Sequence, residues 1–97
     1  MFDNKRYISR GATELAFPVQ MAMWAAVEAI PCEKDYLQIF NLEPLYRNNK
    51  SFQRITHEQE CPAYKQVIVV RCEKPVKEKC YIIDDGDHST LLLASEY

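Results

Sequence analysis

Glycine is nearly missing from this chain: Gly11 and Gly86 are the only two in 97 residues, and each stands alone. A loop that cradles phosphate needs glycines in close succession so that backbone N–H groups can converge on the anion; nucleotide hydrolysis of the usual loop type is therefore excluded. A surplus of positive charge is missing too, with twelve Lys and Arg against fourteen Asp and Glu and a net charge of −2. The densest basic stretch, Arg71, Lys74, Lys77 and Lys79, is interleaved with Glu73 and Glu78, so it reads as a solvated loop. A phosphate footprint requires uncompensated cations, and duplex nucleic acid is not an expected partner.

There is no long hydrophobic run. The stretch from Leu15 to Ile30 is broken by Pro18, Gln20 and Glu28 and is rich in alanine, too short and too mild to cross a bilayer. No membrane partner is expected. The opening MFDNKRYISRG lacks the charged segment, apolar segment and small-residue cleavage site of a secretory leader, so the expected location is cytoplasmic. The four cysteines, Cys32, Cys61, Cys72 and Cys80, are widely spaced, and no two have the two-residue separation that lets one turn offer a pair of thiolates to zinc. They are expected to be free thiols, mostly buried, in a reducing compartment. Cys72 and Cys80 flank a polar loop across which they could face each other. No cofactor and no metal are expected.

What is present suits a globular chain: 47% of residues are hydrophobic and 27% charged. At this length about 60 to 65% of the unfolded surface can be hidden, enough for one core and one domain over residues 1–97. Tyr7 and Ile8 begin a short extended segment that Gly11 ends. Pro18 to Ile30 predicts the main helix, since proline suits a first turn and Pro31 forbids continuation. Its apolar residues lie on most sides, so burial of more than one face is expected.

Beyond Pro31 the period becomes strand-like. In DYLQIFNL, Leu37 and Ile39 fall on one side, with Tyr36, Gln38, Phe40 and Leu42 on the other. EPLYRNNKS reads as a turn or loop. FQRITHEQE then sets Ile55, His57 and Gln59 opposite Arg54, Thr56, Glu58 and Glu60. The run Val67 to Val70 is apolar on both faces, which predicts a central strand. Cys80 to Ile83 and Thr90 to Ala94 are joined by DDGDHS, whose Asp-Gly step allows positive φ and predicts a hairpin. The expected fold class is α+β: one main helix packed on a mainly antiparallel sheet of five or six strands, with a C-terminal hairpin. One helix covers one face, so the other face needs cover from the N-terminal arm, a curled sheet or a second subunit.

Taken together, RYISRG, the tryptophan in mid-helix, DYLQIF, HEQECPAY and IDDGDHSTLLLASEY resemble domain-of-unknown-function family 960, small proteins of Gram-positive bacteria and their phages. The most specific parts are the H-x-Q-E-x-P-x-Y pattern at His57, Gln59, Glu60, Pro62 and Tyr64, and the I-D-D-G-D block at Ile83 to Asp87. The resemblance implies a fold and a cytoplasmic setting; it supplies no catalytic role. The four cysteines are not part of the family pattern.

The polar binding candidates are His57, Glu58, Gln59 and Glu60 in one strand and Asp84, Asp85, Asp87 and His88 in the hairpin turn. Two histidines with carboxylates suit a divalent ion or general acid/base chemistry if folding gathers them. Against that, the aspartates suit a solvated turn and His57 suits a hydrogen-bonded, half-buried imidazole. The stretch DDGDH is too short for a helix-loop-helix calcium site. No nucleophile elbow surrounds Ser9, Ser51, Ser89 or Ser95. The reading is a non-enzymatic protein-interaction or regulatory domain, with a protein as the expected partner, a second identical copy among the candidates. The alternative is a small metal-binding protein or metal-assisted hydrolase that uses His57 and the Asp84 to His88 loop. Single-stranded nucleic acid on Tyr7, Tyr46 and Tyr64 is a third reading, weakened by the balanced charge around them.

Overall fold

Proline brackets the helix. In the computed structural model, which describes all 97 residues, α1 (Phe17–Glu28) carries Pro18 in its first turn and ends before Pro31, two residues short of the expected Ile30. It buries Val19, Met23, Trp24, Ala26 and Val27, whereas Phe17, Met21, Ala25 and Ala29 face outward. Within the chain one broad side of the helix is covered, and the outer side sets the exposed Phe17 and Met21 among small alanines.

The rest of the chain is a six-stranded sheet in the order β1-β6-β5-β2-β3-β4, built from β1 (Lys5–Ile8), β2 (Leu37–Arg47), β3 (Lys50–Gln59), β4 (Tyr64–Arg71), β5 (Glu78–Asp84) and β6 (His88–Leu93). Every neighbouring pair is antiparallel except β1–β6, which is parallel. The α+β expectation holds, as does the C-terminal hairpin. Short 3-10 turns, Ala12–Glu14 and Ala94–Glu96, follow β1 and β6.

Alternation decides the faces. Leu42, Phe40, Ile55, Cys80, Ile82 and Leu91 point toward the helix and form the core with its buried stripe and with Phe2, Ala12 and Leu15. Rows on the other face follow from the register: Leu92, Tyr81, Ile39, Glu58 and Lys65 lie side by side, as do Lys79, Asn41, Thr56 and Val67. The helix does not cover this second face, where Leu37, Ile39, Tyr81 and Leu92 remain partly exposed, while Ile83 of the same parity is buried and Tyr97 lies against Tyr81. The N-terminal arm does not cover it, because Phe2 enters the core on the helix side, 2% exposed.

Two expectations are overturned. β4 is not central; it is the sheet's outer strand, with Val67 57% and Val69 47% exposed. Residues 43–51 are not a loop. β2 runs through Pro44 to Arg47, and Asn48 and Asn49 alone turn the chain, with φ of 52° and 64°. A two-residue turn with both φ positive matches the twist of the strands it joins, and asparagine tolerates that conformation better than most residues. Pro44 fits because β5 stops pairing at Leu42, so no neighbour needs its missing N–H on that side.

The turn yields a stability test. Replacing Asn49 by valine forces a β-branched residue to positive φ at a cost of about 1–2 kcal/mol, and should lower the melting temperature by roughly 5 °C or more. Replacing it by glycine should leave the midpoint unchanged or raise it. Thermal unfolding followed by circular dichroism distinguishes the two; equal effects would contradict the turn.

Candidate functional site

His57 sits near the C-terminal end of β3 on the helix side, fully buried. Its ring stacks on Phe40 with centroids 4.5 Å apart and meets the edge of Tyr64 at 6.0 Å. Both ring nitrogens are engaged: Nε2 lies 2.6 Å from Gln38 Oε1, and Nδ1 lies 3.2 Å from Gln66 Nε2. Because an amide oxygen only accepts and an amide nitrogen only donates, the ring is neutral with its proton on Nε2. Burial pushes its pKa down to about 4.

The network continues outward. Gln38 Nε2 donates to Gln59 Oε1 at 2.8 Å and to Asp35 O at 2.8 Å. Gln59 Oε1 also accepts from Asp35 N–H at 3.0 Å, and its Nε2 donates to Glu33 O and Pro62 O, both at 2.9 Å. Two side chains therefore fasten the segment after the helix and the β3–β4 turn to the sheet. Gln53 does the same elsewhere, exchanging two hydrogen bonds of 2.9 Å with the backbone of Val76. No buried side-chain nitrogen or oxygen lacks a partner. Glu60 and the two outer cysteines, Cys32 and Cys61, are exposed beside this corner.

The hairpin turn divides into two parts. Asp84 accepts hydrogen bonds from Phe2 N–H at 2.6 Å, Gly86 N–H at 2.7 Å and Asn4 Nδ2 at 3.2 Å. Partial burial raises its pKa, but these donors and the N-terminal ammonium outweigh that and hold it below the ordinary aspartate value. It ties the N-terminal arm to β5, which seats Phe2 in the core. Asp85, Asp87 and His88 instead form an outer cluster: His88 Nδ1 is 2.7 Å from Asp87 Oδ1, and Nε2 is 3.4 Å from Asp85 Oδ2. The hydrogen bond from His88 lowers the pKa of Asp87. Tyr7 meets the His88 ring edge-on at 5.4 Å.

A third tie joins the chain ends. Glu96 accepts from Ser9 Oγ at 2.5 Å, Leu93 N–H at 2.8 Å and Gly11 N–H at 2.9 Å, and these bonds lower its pKa in that order for Ser9, Leu93 and Gly11. Space is tight at Gly11: an added Cβ would lie 2.8 Å from Leu93 Cδ1 and 2.9 Å from the Glu96 carboxylate, so those two side chains would have to shift.

The structure does not gather the two candidate groups. His57 shares a row with Leu93, while His88 lies three strands and five residues away, roughly 20 Å at ordinary sheet spacings. Tyr7, Tyr46 and Tyr64 likewise do not share a platform: Tyr7 is on the uncovered face, Tyr64 touches His57 on the helix face, and Tyr46 stands at the hairpin tip. Cys80 is buried in the core and its thiol pKa is pushed up to about 12 by burial, then by Glu78 and Glu96, so it is a poor nucleophile.

Sequence reasoning expected a second face in need of cover but named no site on it. There Asn41, Glu43, Thr56, Glu58, Lys65 and Lys79 line a shallow trough of about 620 Å³, together with Lys77 and Glu78 at its rim. Beside it lies an apolar area of Leu37, Ile39, Tyr81 and Leu92, with Tyr97 edge-on against Tyr81 at 5.5 Å. Alternation within each strand marks these side chains as sharing a parity. Only the strand order makes them neighbours.

Two measurements check this reading. The folded pKa of His57 lies below its unfolded value near 6.5, so its stabilisation is complete above that pH and is lost as pH falls toward 4, on the order of 3 kcal/mol in all. In NMR, the His57 ring signals should stay flat between pH 8 and 5; a titration midpoint near 6.5 would show that the ring is not enclosed. Asp84→Ala should destabilise by about 1–2 kcal/mol and speed amide exchange at Phe2, while Asp87→Ala should be near neutral. Equal effects from the two would contradict the division of the turn.

No curated protein matches the chain. A crystal structure of a protein of unknown function from Enterococcus faecalis superposes with a TM-score of 0.77 over 98% of this chain and 92% of the other, at 22% identity, which shows a common fold. The family model described as "Staphylococcal protein of unknown function (DUF960)" matches residues 5–96, nearly the whole sheet and helix, and the chain belongs to that family.

Proposed function

We propose that the chain acts as a non-enzymatic interaction domain in the cytoplasm, and that its working surface is the uncovered face of the sheet. The carrying observation is how polar groups are divided. On the helix side Gln38, Gln53 and Gln59 are used up in holding loops and His57 in bonding Gln38 and Gln66, with no unpartnered buried side-chain nitrogen or oxygen left for chemistry. On the other side Leu37, Ile39, Tyr81 and Leu92 stay in contact with water beside a trough edged by both acids and lysines. An apolar area rimmed by charge is the arrangement of a protein–protein contact, in which the apolar centre supplies affinity and the rim sets orientation. Interleaved charges disfavour a polyanion and suit a folded partner with its own mixed surface.

The test uses a photo-crosslinking residue at Thr56 or Ile39, and in a control at Met21 on the outer side of the helix, each expressed in the native host. Partner adducts are expected from the sheet face alone. Adding Tyr81→Lys with Leu92→Lys should reduce their yield by about tenfold or more while leaving the fold intact. Adducts of equal yield from Met21, or a yield unaffected by the two lysines, would overturn the reading.

A further inference from the structure

We infer that the first partner is a second copy of this chain, joined antiparallel along the free edge of β4 about a two-fold axis at Val67, so that twice the six strands form one continuous sheet. This deepens the interaction reading, on which it rests, by making two uncovered faces into one.

The phase of the main-chain hydrogen bonds carries the argument. Arg47 and Lys50 flank a two-residue turn and so form a hydrogen-bonded pair; bonded and non-bonded pairs then alternate along β2–β3. Pro44 opposite Gln53 falls at a non-bonded position, as its missing N–H demands. β3 therefore turns the main-chain groups of Gln53, Ile55, His57 and Gln59 toward β4, where they meet Val70, Ile68, Gln66 and Tyr64. The bond from Cys72 N–H to Ser51 O continues that phase. It follows that Lys65, Val67, Val69 and Arg71 direct their N–H and C=O groups away from the sheet. None of the main-chain bonds outside the regular elements satisfies them.

Monomeric proteins blunt such an edge with proline, a bulge, a central charge or a short strand. β4 has none of these: it is eight residues long, pairs with β3 without interruption, and carries Lys65 and Arg71 only near its ends. The opposite edge, β1, is protected, being four residues long and bearing Lys5 and Arg6. The contrast within one sheet marks β4 as an edge meant to be paired.

Two registers pair seven residues of this strand with a second copy, centred on Val67 or on Ile68, and charge decides between them. An axis at Ile68 would set Lys65 against the partner's Arg71, like charges directly opposite. An axis at Val67 removes that clash, placing Val67 against the partner's Val67 and Lys65 against the partner's Val69, while Lys65 keeps Glu58 beside it in its own sheet. Tyr64 to Val70 then pair along almost the full strand, with about six new main-chain hydrogen bonds. The edge is its own complement.

Sedimentation velocity from micromolar to millimolar concentration should give twice the 11.4 kDa chain mass. Val67→Pro removes an N–H that points away from β3, and Val67→Lys sets two ammonium groups face to face; both should sediment as folded monomers with unchanged circular dichroism. With Cys32→Ser and Cys61→Ser, oxidation should cross-link Val67→Cys but not Val69→Cys. A wild type monomeric at millimolar concentration overturns the inference, as does a dimer that survives both Val67 variants, or cross-linking at Val69 in place of Val67. Tyr81→Lys with Leu92→Lys should leave the dimer intact. A monomer that still gives adducts from the sheet face would thus sink the dimer alone, whereas a dimer without those adducts would sink the interaction reading.

Discussion

The governing constraint is one of coverage. A helix of 12 residues is about 18 Å long, whereas six strands at ordinary spacing span about 24 Å, so the helix closes only part of one face. Whatever it leaves open on that face must be closed by loops. Loops carry unpaired N–H and C=O groups, which cannot be laid over an apolar surface without partners. This explains why the sheet's helix side carries Gln38, Gln53, Gln59 and His57 among its buried residues. A glutamine can donate and accept at once, so one side chain can satisfy a loop's carbonyl and its amide together, as Gln53 does with Val76. The same need accounts for Asp84 at Phe2 and Glu96 at Gly11, where carboxylates gather several N–H and O–H donors.

Seen in this way, the residues that resemble chemistry in the sequence are closing devices. His57 alternates onto the apolar side of its strand, and that much was legible. Its neighbours were not, because Gln38 and Gln66 reach it across strands separated by nine or more positions in the chain. A histidine between two neutral amides in a dry interior has nothing to stabilise its charged form, so it stays neutral through the physiological range. The aspartates of the β5–β6 turn looked alike as a string. The structure separates Asp84, which holds the N-terminal arm, from Asp85 and Asp87, which only surround His88 at the surface.

The fold was readable where the signal is local and obscure where it is not. Pro18 and Pro31 bracket α1, and the Asp-Gly step at Asp85 and Gly86 places the last hairpin. Strand order has no local mark. Val67 to Val70 reads as doubly apolar, which suggests the centre of a sheet, yet its even residues face the helix and its odd ones face water at the edge. Nor does Lys5 to Ile8 announce that it pairs parallel to the last strand, a contact between opposite ends of the chain. Pro44 reads as a break because proline is unwelcome inside a sheet; it is accommodated only because β5 ends before reaching it.

The motifs that carry the family resemblance map onto these closing positions: Gln59 and Pro62 in the loop tie, Tyr64 against His57, Asp84 and Gly86 in the turn, Gly11 beneath Glu96. A protein can therefore share them and the fold while differing freely across the uncovered face, where no buried hydrogen bond dictates residue type. Recognition motifs in such a family report how the sheet is closed. Side chains of the opposite parity, Ile39, Thr56, Glu58, Lys79 and Tyr81 among them, take no part in that closure.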